Sequence, residues 1–158
     1  MRIASKIVKL ALEKKMTLSV AESCTGGLLA DRITDVPGSS EVFLAGMVSY
    51  SNRSKVEILK VDLEHLQNGA VSEDVAREMA GKIRKITGSN IGVGVTGIAG
   101  PSGGSPEKPV GTVYYAIDID GMVRVQLLNL EGSRREIKEK AVKAVLVDLL
   151  RSLKKPEQ

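Results

Sequence analysis

The sequence is poor in the side chains on which many small proteins depend: it has one cysteine, one histidine, one phenylalanine and no tryptophan. Since Cys24 is the single cysteine, an internal disulfide is excluded, and a reducing compartment fits. One histidine and one cysteine also disfavour a zinc site of the usual nitrogen and sulfur ligands, so we expect no metal and no cofactor. With aromatic residues at 3%, the core is expected to consist of Val, Ile, Leu and Ala.

Long hydrophobic runs and blocks of like charge are also missing. The first fifteen residues interrupt their apolar positions with Lys6, Lys9, Lys14 and Lys15, which predicts neither a signal sequence nor a membrane span. We therefore expect a cytoplasmic protein without a membrane partner. The net charge of +4 comes largely from lysines of a predicted last helix, interpreted as a solvated face. Because no aromatic residues accompany these lysines, we expect no nucleic-acid partner.

The length of 158 residues and the apolar fraction of 42% are typical of one globular domain, predicted over 1–158. Hydrophobic spacing predicts a helix over 2–15, a strand over 17–21 and a helix over 28–36 that stops at Pro37-Gly38. A buried strand over 42–50 is expected next, and then a short helix capped by Asn52 or Ser54.

The second half begins with a helix that Ser72 caps. A glycine-rich strand over 90–96 follows, and its glycines suggest a close approach of another main chain. After a Gly/Pro loop over 97–109 come strands over 110–119 and 122–130, joined by Asp120-Gly121, and a long last helix. Alternating strands and helices with a late hairpin predict a three-layer α/β/α sandwich with a mixed, about five-stranded sheet.

Three polar or glycine-rich segments follow predicted strands, over 22–27, 50–55 and 96–104. Ligands of open α/β sheets bind beyond the carboxyl ends of the strands, so these segments are expected to converge on a site. The turn over 22–27 is expected to leave free N–H groups at the start of a helix, which would stabilise an oxyanion. Gly26 and Gly27 would keep that approach open, unless they only relieve packing.

Ser23, Cys24 and Thr25 are all potential nucleophiles on this turn, although one of them could instead be a helix cap. A hydroxyl nucleophile needs a base. His65 lies in a polar stretch and is interpreted as a surface residue. Lys55 follows the second strand and would serve if burial lowered its pKa from about 10.4 toward 7–8; the alternative is an exposed helix residue.

Two further candidates lie at strand ends. Tyr50 could relay a proton or hydrogen-bond the nucleophilic hydroxyl. The loop over 97–104 could bind a phosphate through its N–H groups, although it matches no established phosphate motif, and a flexible connection is the alternative.

Four motifs extend over nearly the whole chain: AESCTGG at 21–27, GMVSYSNRSK at 46–55, GAVSEDVAREMA at 69–80 and VTGIAGPSGGSPEKPVGTVYYAI at 95–117. In sequence and order they resemble the C-terminal domain family of CinA, the competence/damage-inducible proteins. This resemblance implies a three-layer α/β/α fold. It also implies metal-independent hydrolysis of the carboxamide of nicotinamide mononucleotide by a serine and a lysine.

Carried over residue by residue, the resemblance makes Ser23 the nucleophile and Tyr50 and Lys55 its catalytic partners. Thr96 and Arg134 would bind substrate, with Arg135 left open as the alternative arginine. We add Thr25, Gly26, Gly27, Gly97 and Gly100 as predicted substrate-binding residues. The predicted partner is a small-molecule nucleotide, and a homo-oligomer is expected, with a dimer as the default. The alternative function is a non-catalytic ligand-binding or regulatory module linked to competence or DNA damage.

Overall fold

The computed structural model describes residues 2–156. Its helices are α1 (Ile3–Lys14), α2 (Leu28–Thr34), α3 (Asn52–Glu57), α4 (Leu63–Leu66), α5 (Glu73–Thr87) and α6 (Arg134–Lys154), with a 3-10 turn at Ser39–Glu41. Its strands are β1 (Leu18–Glu22), β2 (Phe43–Val48), β3 (Ile91–Gly97), β4 (Thr112–Ile119) and β5 (Met122–Asn129).

The five strands form one sheet in the order β2-β1-β3-β4-β5. Strand β1 pairs in parallel with β2 and β3, whereas β4 pairs antiparallel with β3 and β5. Asp120 and Gly121 connect β4 to β5, both with positive φ, as a tight hairpin turn requires. The predicted mixed, five-stranded sheet is confirmed.

Helices cover both faces of the sheet because successive side chains of a strand point to opposite sides. Val20, Val93 and Val95 belong to the larger core cluster, which also includes buried residues of α1, α2 and α6. Ala21 points to the other side and packs with residues of α5. The three-layer α/β/α arrangement follows from these two cores.

Glycines on β3 let α5 pack directly on the sheet. A Cβ on Gly92 would lie 2.2 Å from the carbonyl oxygen of Ala80, and one on Gly94 would lie 2.6 Å from that of Ala76. No side chain fits in this space. The close approach predicted from the glycine pattern is confirmed.

Strand β2 differs from the prediction. The sequence predicts a buried strand over 42–50, but β2 is an edge strand whose residues alternate in burial, with Leu44 and Val48 each 47% exposed. The cap of α3 is Ser51, whose side chain accepts a hydrogen bond from the Ser54 N–H, and neither Asn52 nor Ser54. The short helix α4 was not predicted. Within residues 2–156, no helix combines the length and hydropathy that crossing a bilayer would need.

Candidate active site

The carboxyl ends of β1, β2 and β3 meet at one edge of the sheet, where Glu22 is in register with both Val48 and Val95. A cleft of about 270 Å³ opens there. All three segments predicted from the sequence contribute to its wall, which consists of Ser23, Cys24, Tyr50, Asn52, Lys55, Ala70, Val71, 96–100, Ser102, Gly103 and Arg134. The predicted convergence is therefore confirmed.

Ser23 lies directly after β1 on a turn that is fixed at both ends. Its N–H donates to the Val95 carbonyl oxygen at 3.0 Å. The buried carboxylate of Glu22 accepts hydrogen bonds from the N–H groups of Leu29 at 2.8 Å and Ala30 at 3.0 Å. A carboxylate at a helix N-terminus satisfies free N–H groups and interacts favourably with the helix dipole. Sequence reasoning missed Glu22, which resembles any polar residue at a strand end.

This contact corrects the predicted source of oxyanion stabilisation. The N–H groups at the start of α2 already bind Glu22, so they do not face the cleft. Gly26 and Gly27 adopt φ of 61° and 100°, conformations that favour glycine, and they form the turn without lining the cleft. Within residues 2–156, the Cys24 N–H donates to no other residue, and Cys24 lines the cleft, which leaves this N–H as the available donor beside Ser23.

Lys55 is buried, and its amine reaches the nucleophile candidate. The side chain is 1% exposed, and Nζ lies 3.0 Å from Ser23 Oγ. Nζ also donates to the carbonyl oxygens of Ser49 at 2.7 Å and Tyr50 at 3.3 Å. Burial lowers the pKa of Lys55 below its ordinary value of 10.5. The alternative of an exposed helix residue is wrong.

These three contacts suit both protonation states of the amine. A neutral amine has two N–H groups, which can donate hydrogen bonds to the two carbonyl oxygens. Its lone pair can then receive the Ser23 hydroxyl proton. An ammonium group donates its third N–H to Ser23 Oγ instead. The arrangement can therefore take a proton from Ser23 and return it without losing a hydrogen bond.

The rival nucleophile and the rival base are placed differently. Cys24 packs in the apolar core, and its burial raises the thiol pKa to about 11, so the reactive thiolate is disfavoured. His65 lies outside the cleft wall, and its Nδ1 is 2.6 Å from the Glu78 carboxylate. His65 was interpreted as a surface residue, and its side chain is 38% exposed while it pairs with Glu78.

Tyr50 and Arg134 meet at the rim of the cleft. Arg134 Nη2 donates to the Tyr50 hydroxyl at 2.8 Å, and Nη1 donates to the Gly100 carbonyl oxygen at 2.7 Å. The Tyr50 hydroxyl therefore contacts Arg134, whereas its carbonyl contacts Lys55. Arg135 instead pairs with Glu139 at 2.9 Å on the exposed side of α6. Of the two arginines, Arg134 is the one at the cleft.

The other predicted binding residues divide into two groups. Thr96, Gly97 and Gly100 line the cleft, and the Thr96 hydroxyl donates to the Ala70 carbonyl oxygen at 2.8 Å. Thr25 lies outside the cleft wall, fully buried, and its hydroxyl has no hydrogen-bond partner in the described chain.

Asn52 and Ser102 line the cleft but were not predicted to bind substrate. The sequence could have indicated both, because Asn52 lies in the segment over 50–55 and Ser102 in the segment over 96–104, which follow predicted strands.

The fold and the cleft together define a three-layer α/β/α domain with a buried serine–lysine pair at the parallel strand ends. The family model "CinA C-terminal domain" matches residues 1–153, and the chain belongs to this family.

Two curated relatives illustrate the match. A protein of Alkaliphilus oremlandii, with the provisional name competence-damage inducible protein, is 53% identical over 146 residues, covering 92% of this chain and 35% of its own length. The CinA-like protein of Chlorobaculum tepidum is 52% identical over 157 residues, covering 96% of this chain and 37% of its own length. The chain thus spans about a third of the length of the curated relatives it matches.

Among solved structures, the competence/damage inducible protein of Agrobacterium tumefaciens matches with a TM-score of 0.92 and 39% identity. The match covers 97% of this chain and 94% of that one.

Proposed function

We propose that this chain is an amidohydrolase that converts nicotinamide mononucleotide to nicotinate mononucleotide and ammonia. The observation that carries the proposal is the 3.0 Å contact between Ser23 Oγ and the buried Lys55 amine. A buried lysine with a lowered pKa beside a hydroxyl is an arrangement for activating a nucleophile. The choice of substrate rests on the family resemblance of the motifs, and the relatives' names do not extend to it.

In the first half of the reaction, neutral Lys55 takes the hydroxyl proton as Ser23 Oγ attacks the carboxamide carbon. The tetrahedral intermediate then collapses, the C–N bond breaks, and the proton held on Lys55 passes to the leaving nitrogen, which departs as ammonia. In the second half, Lys55 takes a proton from water, whose oxygen attacks the acyl ester. Collapse of that intermediate returns the proton to Ser23 and releases the carboxylic acid product.

The negative charge that develops on the carbonyl oxygen needs donors fixed in advance. The N–H group of Cys24 supports this role because it adjoins Ser23, belongs to a residue that lines the cleft and donates to no other described residue. Its turn is fastened by the Glu22 contacts with α2. This donor therefore needs little reorganisation when the oxyanion forms.

The phosphate of the substrate would bind at the rim formed by Arg134 and the loop after β3. In the described chain, the N–H groups of Ala99, Gly100, Ser102 and Gly103 donate to no residue, so they are available to an anion. A guanidinium donates two parallel hydrogen bonds to phosphate, and Arg134 has no carboxylate partner within residues 2–156. Tyr50 would orient Arg134 through the 2.8 Å contact.

The decisive experiment measures ammonia release from nicotinamide mononucleotide by the purified protein. We expect steady release by the wild type and none above background by Ser23→Ala, whose thermal midpoint should stay close to that of the wild type. Binding of the nucleotide without any release of ammonia would refute the proposal and favour the non-catalytic ligand-binding module.

A further inference from the structure

A second and larger cleft, of about 460 Å³, lies between α6 and the β4–β5 hairpin. It shares no lining residue with the cleft at Ser23. The first turn of α6 carries Arg134 to the Ser23 cleft, and the second cleft begins at Lys140, about 9 Å further along the helix axis. The two clefts therefore adjoin the same helix but are separate sites.

The lining of the second cleft is strongly basic. Arg124 projects from β5, while Lys140, Lys143 and Arg151 project from α6. The spacing of the three helix residues, three and then eight positions apart, keeps them on one side of the helix. Asp148 is the single carboxylate in the lining, so the cleft carries a net charge of about three positive units at neutral pH.

Asp148 is occupied by neighbours that fix its position. It accepts a hydrogen bond from the Tyr115 hydroxyl at 2.9 Å and pairs with Arg124 at 2.9 Å. Burial and the Asp148 carboxylate raise the pKa of Tyr115, so its hydroxyl stays protonated. Asp148 therefore holds the Arg124 guanidinium in place and is not free to neutralise the cations on α6.

The remaining cations form no ion pair in the described chain. The carboxylate of Glu136 interacts with Lys140 at longer range, but it accepts a hydrogen bond from the Ser133 N–H at 2.6 Å instead. Among residues 2–156, Lys140 Nζ donates to the carbonyl oxygen of Glu131. Gathering cations around one cleft costs free energy through mutual repulsion, and a bound polyanion would relieve that cost.

We propose that this cleft binds a diphosphate group, either free or as part of a nucleotide. Its volume lies in the range of small-molecule sites, which is about 300–1,000 Å³. A guanidinium held by Asp148 provides the planar fork that phosphate oxygens match, and the lysines provide mobile point charges. A single phosphate would leave part of the positive charge uncompensated, whereas a diphosphate would neutralise it.

The test is calorimetric titration of the folded protein with sodium pyrophosphate and with ADP. The double variant Lys143→Gln/Arg151→Gln removes two cations from the cleft. The matched control Lys82→Gln/Lys85→Gln removes the same charge from α5, on the opposite face of the sheet. We expect at least a tenfold increase in Kd for the cleft variant and less than a twofold change for the control.

Each titration is repeated in an Arg134→Ala background, so that binding at the Ser23 cleft is not counted. Tighter binding of ADP than of pyrophosphate would identify a nucleotide ligand, and equal binding would identify the diphosphate alone. The proposal is overturned if neither compound binds at millimolar concentration, or if the control variant weakens binding as much as the cleft variant. Ammonia release plays no part in these readouts, so they stand apart from the proposed deamidase activity.

Discussion

Lys55 can be replaced in two ways that separate its positive charge from its capacity to accept a proton. Lys55→Arg keeps the charge, but a guanidinium does not release its proton in the working pH range. Lys55→Met keeps an apolar stem and removes the amine. If the amine accepts the Ser23 proton across 3.0 Å, both variants lose the base. A positioned base contributes about 10²- to 10⁴-fold, so we expect kcat to fall by that factor in both.

The pH dependence of the wild type follows from the same amine. Under the proposed mechanism the neutral amine is the active form, so kcat/KM should rise with pH and level off once Lys55 is deprotonated. Burial lowers the pKa of Lys55, so the midpoint should lie below 10.5. This midpoint would be absent from Lys55→Met.

The stability of the fold should depend on pH for the same reason. Between the pKa of Lys55 in the folded chain and that in the unfolded chain, the unfolded chain binds more protons. The free energy of unfolding therefore rises with pH in this window, by at most about 1.4 kcal/mol per pH unit. This contribution to the free energy of unfolding is complete above the pKa that Lys55 has in the unfolded chain. It is lost as the pH falls through the lower pKa that Lys55 has in the folded chain. Lys55→Met should lack this rise.

The assays are ammonia release and denaturant unfolding, each measured from pH 6 to pH 10. Lys60→Met is the matched control, because Lys60 is exposed and, among the described residues, its amine donates to the Glu57 carbonyl alone. An active Lys55→Arg enzyme would refute the base role. Equal pH dependence of stability in the wild type and Lys55→Met would refute the lowered pKa.

Five substitutions test other parts of the structure. Ser23→Ala should abolish ammonia release while Cys24→Ala retains it, because a thiol with a pKa of about 11 stays protonated; the reverse pattern would make cysteine the nucleophile. Arg134→Ala should raise KM for nicotinamide mononucleotide about tenfold or more. It should change turnover of nicotinamide riboside little, because that compound has no phosphate; equal losses on both compounds would indicate another role for Arg134. Gly94→Ala places a methyl group 2.6 Å from the main chain of α5 and should lower the free energy of unfolding by about 1–3 kcal/mol, and an unchanged thermal midpoint would contradict this packing. Ser133→Ala removes the N-cap of α6 and should cost about 1 kcal/mol in denaturant unfolding, with a higher KM because the first turn carries Arg134; no effect on either would show that the cap does not hold that turn.

Much of the site could be predicted because its residues follow strands directly. Once 17–21, 42–50 and 90–96 are recognised as strands, the geometry of parallel sheets brings Ser23, Lys55 and Thr96 to one edge. Periodicity could not show that β2 lies at the edge of the sheet, because a short apolar run fits an edge and a central strand equally. The position of β2 in the sheet depends on its pairing with β1, a long-range contact that local sequence does not show.

Contacts between distant residues were beyond prediction for a similar reason. The Tyr50 hydroxyl meets Arg134, 84 positions later, only because α6 begins at the cleft. From the sequence, the burial of Lys55 could be stated only as a requirement of its proposed role as a base. Nothing in the neighbouring sequence distinguishes a buried lysine from an exposed one. The sequence could not show that Lys140 and Lys143 share a cleft with Arg124, because Arg124 belongs to a strand and reaches them only in the folded chain.

The two walls of the Ser23 cleft are held by different kinds of bonds. Ser23 is fixed by a main-chain hydrogen bond and its turn by a buried carboxylate, whereas the facing loop is tied by long side chains, Arg134 to Gly100 and Lys108 to Val71. A substitution at Arg134 or Lys108 would therefore reshape the outer wall and leave the nucleophile in place. Under the proposed function, domains of this family would diverge in the compound they accept while the bond-breaking step stays the same, and differences in substrate choice should map first to the loop over 98–109.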